Sequence, residues 1–168
     1  MTDPGGPRGA GEGARDGGLS DPDRAIQTAR ILTVALILGV AIYAAIAAGA
    51  LASGTWTPSP EGAVPALLPW VAAGAALVWA GAPLLQARLE TVPPDAPPVR
   101  AIARWITAQI LAMALREGPA LVGITLALVA GSGAWAVGFG AAGAAVMLLA
   151  WPRGEALRHR LSRHRARD

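Results

Sequence analysis

The sequence predicts an all-α fold, a four-helix transmembrane bundle, and three observations lead there. Hydrophobic residues make up 54% of the 168 against 15% charged, too apolar for an ordinary soluble domain of this length. Four apolar runs, about 31–52, 63–86, 104–130 and 134–151, are each near the length that fills a hydrocarbon core of ~30 Å. Arginines alternate between arginine-rich and arginine-free connections along the chain. Glycine, at 21 residues, far outnumbers the single Phe and single Tyr, as expected where helices pack through small residues in a bilayer.

Residues 1–28 read as a cytoplasmic N-terminal tail, rich in Gly, Pro and Asp with little to bury, and are expected to be disordered. A secretory signal cleaved near Ala48-Gly49-Ala50 is the rival reading. The apolar run before that site is too long and starts too late for it.

The first span, about Ile31 to Ala52, carries no charge. Its length at ~1.5 Å per residue is ~33 Å, enough to cross. Pro58 and Pro60 break the chain before the second span, which holds Pro65 and Pro69 in its opening turns and Pro83 in its last. Proline costs least at such positions. Pro93, Pro94, Pro97 and Pro98 then stiffen a connector that keeps the second helix from running into the third.

The third span contains Arg116 and Glu117 near its middle. Each such residue costs about 2.5 to 3.5 kcal/mol at a helix centre, and each large apolar residue returns only a few tenths. A surface-lying first half, with only three crossings, is the alternative, but it would export the arginine-rich tail. The fourth span is dense in Gly and Ala and closes at Pro152.

Arginines decide the orientation. Four precede the first span, three flank the 87–105 connector and six end the chain, while loop 53–62 and the turn Gly131-Ser132-Gly133 have none. By the positive-inside rule, both ends and the middle connector are cytoplasmic, in a multi-pass protein of the cell inner membrane. The absence of Lys suits a GC-rich, bacterial genome. Trp56, Trp70, Trp105, Trp135 and Trp151 fall near the expected interfaces, whereas Trp79 is expected to pack between helices.

An offset of 74 aligns Arg30-Ile31-Leu32-Thr33 with Arg104-Trp105-Ile106-Thr107, and an offset of 69 aligns residues 72–76 with 141–145. Spans one and two thus read as a copy of spans three and four, two parallel helical hairpins side by side. Tyr43 then takes the place of Glu117 in the first copy.

For chemistry, the candidate is an intramembrane polar site of Gln109, Arg116, Glu117 and Pro119. An ionisable group near the bilayer midplane is expensive and so marks a function by default. Arg116 and Glu117 project ~100° apart and cannot face each other, while Gln109, seven residues before Arg116, shares its face. Pro119 removes the hydrogen bond to the Leu115 carbonyl, and a kink or break is expected there. Helix packing is expected through Ala72, Ala76 and Ala80, Gly123 and Ala127, and Gly138 and Ala142. In the 153–168 tail, Leu157 and Leu161 among Arg158, Arg160, Arg163, Arg165 and Arg167 form an amphipathic pattern expected to lie on anionic lipid head groups. No aromatic platform accompanies that charge, so nucleic acid is not expected as a partner. With no cysteine, and His159 and His164 five apart without a carboxylate companion, no metal site and no cofactor are expected. No catalytic set is visible, so no enzyme is expected.

The run from Ala114 through Arg116-Glu117-Gly118-Pro119 to Leu128 resembles the carboxylate helix of ATP synthase subunit c, where Ala-Leu-x-Glu precedes an apolar run. That resemblance implies a proton-carrying Glu117. The chain departs from it in placing the Glu in the first helix of its hairpin, directly after an Arg, with no glycine repeat in the first span. As a whole the chain looks like the small, uncharacterised four-span bacterial membrane proteins, a likeness that implies no activity.

The role these features imply is a non-enzymatic membrane subunit or scaffold, associating as a homo-oligomer or with other membrane subunits. A proton- or cation-handling module centred on Glu117 is the alternative.

Overall fold

The computed structural model describes residues 21–58, 64–91, 93 and 96–165. Five helices follow in order: α1 (Pro22–Ala52), α2 (Val64–Leu89), α3 (Pro98–Val129), α4 (Gly133–Leu149) and α5 (Glu155–Arg165). Among the described residues there is no strand. Three helices, α1 to α3, are long and apolar enough to cross a membrane; α4 is apolar but shorter, at 17 residues.

Local chemistry sets the helix ends. α1 begins earlier than the apolar run because Asp21 caps it, its carboxylate accepting from the Asp23 amide at 3.0 Å with Pro22 in the first turn. Residues 22–28, assigned above to the tail, are therefore helical; residues 1–20 lie outside the described residues. α3 closes with Gly131 at φ 73°, the Ser132 amide donating to the Ala127 carbonyl at 2.9 Å and Gly131 to Leu128 at 3.2 Å. This is a Schellman closure, which needs a residue tolerant of positive φ. α4 stops short of the expected Trp151: Trp151 donates back to Leu148, at 3.2 Å, in a tightened last turn before Pro152.

The four long helices alternate in direction. Gly140 and Gly143 of α4 meet Ala44 and Val40 of α1, Gly123 of α3 meets Phe139 of α4, and Tyr43 of α1 meets Thr125 of α3. α3 is central and touches α1, α2, α4 and α5. α1 lies against α3 and α4 and scarcely touches α2, so the two side-by-side hairpins are not how the chain packs. The reason is steric: α4 presents glycines where α1 presents Val40 and Ala44, allowing close backbone approach.

Of the expected small-residue faces, Gly123 and Ala127 are buried as anticipated. The α2 stripe is not the internal contact, since Ala72 is half-buried and Ala76 and Ala80 are exposed; Leu68, Ala75 and Ala82, seven apart, are the buried positions. On α4, Gly138 faces open space and Ala142 is half-buried, while Gly140 and Gly143 make the contact. The core they close is mostly alanine with Val40, Met113, Ile124, Phe139 and Met147.

A second apolar cluster sits at the end carrying the α1 N-terminus. Leu157 and Leu161 of α5 are buried there against Ala25, Ile26, Ile102 and Trp105. The amphipathic tail thus spends its leucines on the bundle rather than on a lipid surface, and Arg158 pairs with Asp23 at 2.7 Å. The side chains of Arg160, Arg163 and Arg165, and all of Arg167, lie outside the described residues. Trp105, expected near an interface, is covered by this docking.

A Cβ on Gly143 would lie 2.5 Å from the Ala120 Cβ, whereas Gly138 has open space. Gly143→Leu is therefore expected to destabilise the fold by about 1–3 kcal/mol through overpacking, and Gly138→Leu to leave it nearly unchanged. Thermal unfolding of the two variants in detergent measures the difference.

Candidate functional site

Arg116 is the most deeply buried charged side chain described, at 3% exposure. It lies about 20 Å along α3 from the Val129 end at ~1.5 Å per residue, well inside the apolar segment. Helical side chains tilt toward the N-terminus, here the end where the arginines gather. The guanidinium accordingly reaches toward the last turn of α2, where its Nη2 donates to Gln86 Oε1 at 3.1 Å. Gln86 Nε2 in turn donates to Glu90 Oε1 at 3.0 Å, and Gln109 Nε2 donates to the same oxygen at 3.4 Å.

The expectation that Gln109 and Arg116 share a face holds. The two residues that complete the network, Gln86 and Glu90, were not singled out from sequence. Their only signal is the four-residue spacing at the end of the second span, and nothing in that spacing says which turn of α3 they meet. Trp79 packs between helices as expected, its indole Nε1 donating to the Arg116 carbonyl oxygen at 2.9 Å.

Pro119 does not break the helix: α3 runs without interruption from Pro98 to Val129. Loss of one intrahelical bond is tolerated because packing on three sides holds the segment in helical geometry. The expected break, with freed carbonyls to bind a cation, is therefore not built here.

Glu117 turns to another flank of α3, as its ~100° rotation from Arg116 demands. It lines a crevice of about 160 Å³ against α1, among Leu32, Thr33, Leu36 and Met113. It is partly buried, and among the described residues it makes no hydrogen bond or ion pair. Arg116 and Glu117 thus belong to two separate sites. No group of three or more His, Cys, Asp or Glu side chains that would hold a metal occurs among the described residues.

The larger space, about 690 Å³, lies on the Arg116 side. Its walls come from α2, α3, α4 and the α4–α5 link, with Gln86, Glu90, Gln109 and Arg116 on one side and Val146 and Leu149 on the other. Two residues of this lining each carry a buried polar atom without a partner among the described residues, Arg116 Nη1 and Gln109 Oε1, and Gln109 lines the Glu117 crevice as well. Each would cost about 1–3 kcal/mol if left unsatisfied.

Comparison with known proteins returns no match: no family model, no curated protein and no solved structure is similar to this chain.

Gln86→Leu is expected to destabilise the protein by about 1.5–3 kcal/mol, because it strips a buried guanidinium of its acceptor. The double variant Gln86→Leu with Arg116→Leu is expected to recover part of that loss. A double-mutant cycle on detergent unfolding midpoints reads the coupling, and strict additivity would show that the contact contributes nothing.

Proposed function

We propose that the chain is a multi-pass integral membrane protein of a cell inner membrane, crossing four times with both ends cytoplasmic, and that it acts as a non-enzymatic membrane subunit or scaffold. Three helices already have the length and hydropathy to cross. α4, ~25 Å long at ~1.5 Å per residue, is slightly short of a ~30 Å core, a mismatch that local bilayer thinning absorbs at modest cost.

The helix directions support the topology. Apart from Arg116, every arginine in the described helices and links belongs to the end where α1 begins, α2 ends and α5 docks. The opposite end, where Pro58 rests on Gly131, carries no arginine among the described residues. The positive-inside rule makes the first end cytoplasmic.

The subunit role is carried by the outer face of α2. This helix is held mainly by α3 and leaves Trp70, Leu77 and Leu84 at 77%, 76% and 72% exposure. They recur every seven residues, with exposed Ala73 and Ala80 between them. Exposed apolar residues alone suit lipid as well as protein. Alternation of large and small residues at heptad spacing is what an interdigitating helix seam requires.

Because the chain lacks cysteine, single cysteines test both statements. Ser132→Cys is expected to react with an impermeant maleimide from outside intact cells, and Ser162→Cys only after permeabilisation; the reverse pattern would overturn the topology. Leu77→Cys is expected to cross-link in native membranes, to a second copy or to a companion subunit, more than the similarly exposed Leu38→Cys on α1. Equal or absent cross-linking at the two positions would remove the scaffold reading.

A further inference from the structure

The Arg116 cavity is larger than the polar network needs, and it has a built-in direction. α2 and α4 barely contact each other although both line it. Between them the lining is Pro83 and Trp79 of α2 and Val146 and Leu149 of α4, an apolar lateral gap, while Trp151, Arg153 and Glu155 line the cavity toward the arginine-rich end. Outside that gap lie Leu84, at 72% exposure, and Leu149, at 83%. The inner end is polar and the exit is apolar.

The formal charges of the lining balance, Arg116 and Arg153 against Glu90 and Glu155, so what the inner end leaves over is a donor. Arg116 has no carboxylate within ion-pair distance among the described residues. Glu90 lines the same cavity but receives both glutamine amides, and Gln86 stands between it and the guanidinium. The other lining carboxylate, Glu155, is accompanied by Arg153. What remains at the head of the cavity is Arg116, a full positive charge whose buried Nη1 has no acceptor among the described residues, and Gln109, whose buried Oε1 has no donor among them. An oxyanion answers the donor, since a guanidinium makes its strongest bonds to carboxylate or phosphate oxygens. A hydroxyl on the same group answers the acceptor.

We propose that this cavity binds the head group of an anionic phospholipid, its phosphate on Arg116 Nη1, a head-group hydroxyl on Gln109 Oε1, and its acyl chain leaving between α2 and α4 into the bilayer. The inference rests on the membrane reading but not on the α2 seam. A free phosphate has the head-group chemistry without the chain, so the two sources are separable. The depth also fits: the arginine-rich end is where Arg116 points, and a lipid in that leaflet presents its phosphate near that level with its tail toward the opposite end.

The test is native mass spectrometry of the full chain in mild detergent, titrated with phosphatidylglycerol, phosphatidylcholine or inorganic phosphate. Fractionation first establishes that the chain is in the membrane; recovery in the soluble fraction would sink the membrane reading itself, separately from this one. The wild type is expected to retain phosphatidylglycerol about fivefold more tightly than phosphatidylcholine: both offer Arg116 a phosphate, but only the glycerol head group offers Gln109 a hydroxyl, and about 1 kcal/mol from one such bond supplies that ratio. Arg116→Gln is expected to weaken retention of both lipids about tenfold, as loss of about 1.4 kcal/mol from a charge-assisted bond would, Gln109→Leu to abolish the preference between them, and Arg88→Gln, on an exposed residue outside the cavity, to change neither. Val146→Phe fills the exit without touching charge and is expected to weaken phosphatidylglycerol binding at least severalfold, which reads the site even if Arg116→Gln fails to fold. Equal retention of the two lipids by the wild type, unchanged phosphatidylglycerol retention in Arg116→Gln, or full displacement by equimolar inorganic phosphate would each overturn the proposal.

Discussion

A buried guanidinium needs acceptors that its own helix cannot supply, and the position of α2 depends on that requirement. Leaving a buried charge uncompensated costs several kcal/mol even after relaxation. Gln86 of α2 accepts from Nη2 of Arg116, and Trp79 of α2 bonds the backbone of the same residue. Gln109 reaches Glu90, and Arg104 donates to the Thr91 carbonyl at 2.7 Å just beyond the helix. The seam between α2 and α3 is thus apolar at one end, through Leu68, Ala75 and Ala82, and polar toward the other. In lipid, apolar faces gain little by meeting each other, so such hydrogen bonds carry register.

The rest of the bundle is fixed by a different means. α1, α3 and α4 approach through Ala44, Gly140, Gly143, Ala120 and Gly123, positions where a larger side chain has no room. Close backbone approach replaces the large aromatic core of a soluble protein, and Phe139 fills the gap over Gly123. α5 then covers the arginine-rich end, with Gly154 at φ 71° turning the chain sharply over Ile26 and Arg30 donating to the Pro152 carbonyl at 3.3 Å. The tail is a structural lid on the second apolar cluster rather than a free surface helix.

Much of this was legible in one dimension. The position of the long apolar segments, the shared face of Gln109 and Arg116 and the divergence of Arg116 from Glu117 follow from composition and the 3.6-residue period, whereas the four helices expected are five, α5 forming from the tail. Less legible were the ends and partners. Asp21 extends α1 past the point where hydropathy fades, and Pro119 sits in an unbroken helix because neighbours hold it. Neither outcome is encoded in hydrophobicity, since a cap is a local hydrogen bond and a tolerated proline is a property of what surrounds it.

By itself the sequence determined that this chain is helical and apolar enough for a membrane, because segment length and solvation free energy are sums over neighbouring residues. Only the tertiary structure decided which small residues touch, that α1 chooses α4 over α2, and that Gln86 and Glu90 meet the Arg116 helix around an open cavity. Those are relations between residues of different helices, 16 or more apart in sequence. They depend on the rotation and register of whole helices, which periodicity along a single helix leaves undefined.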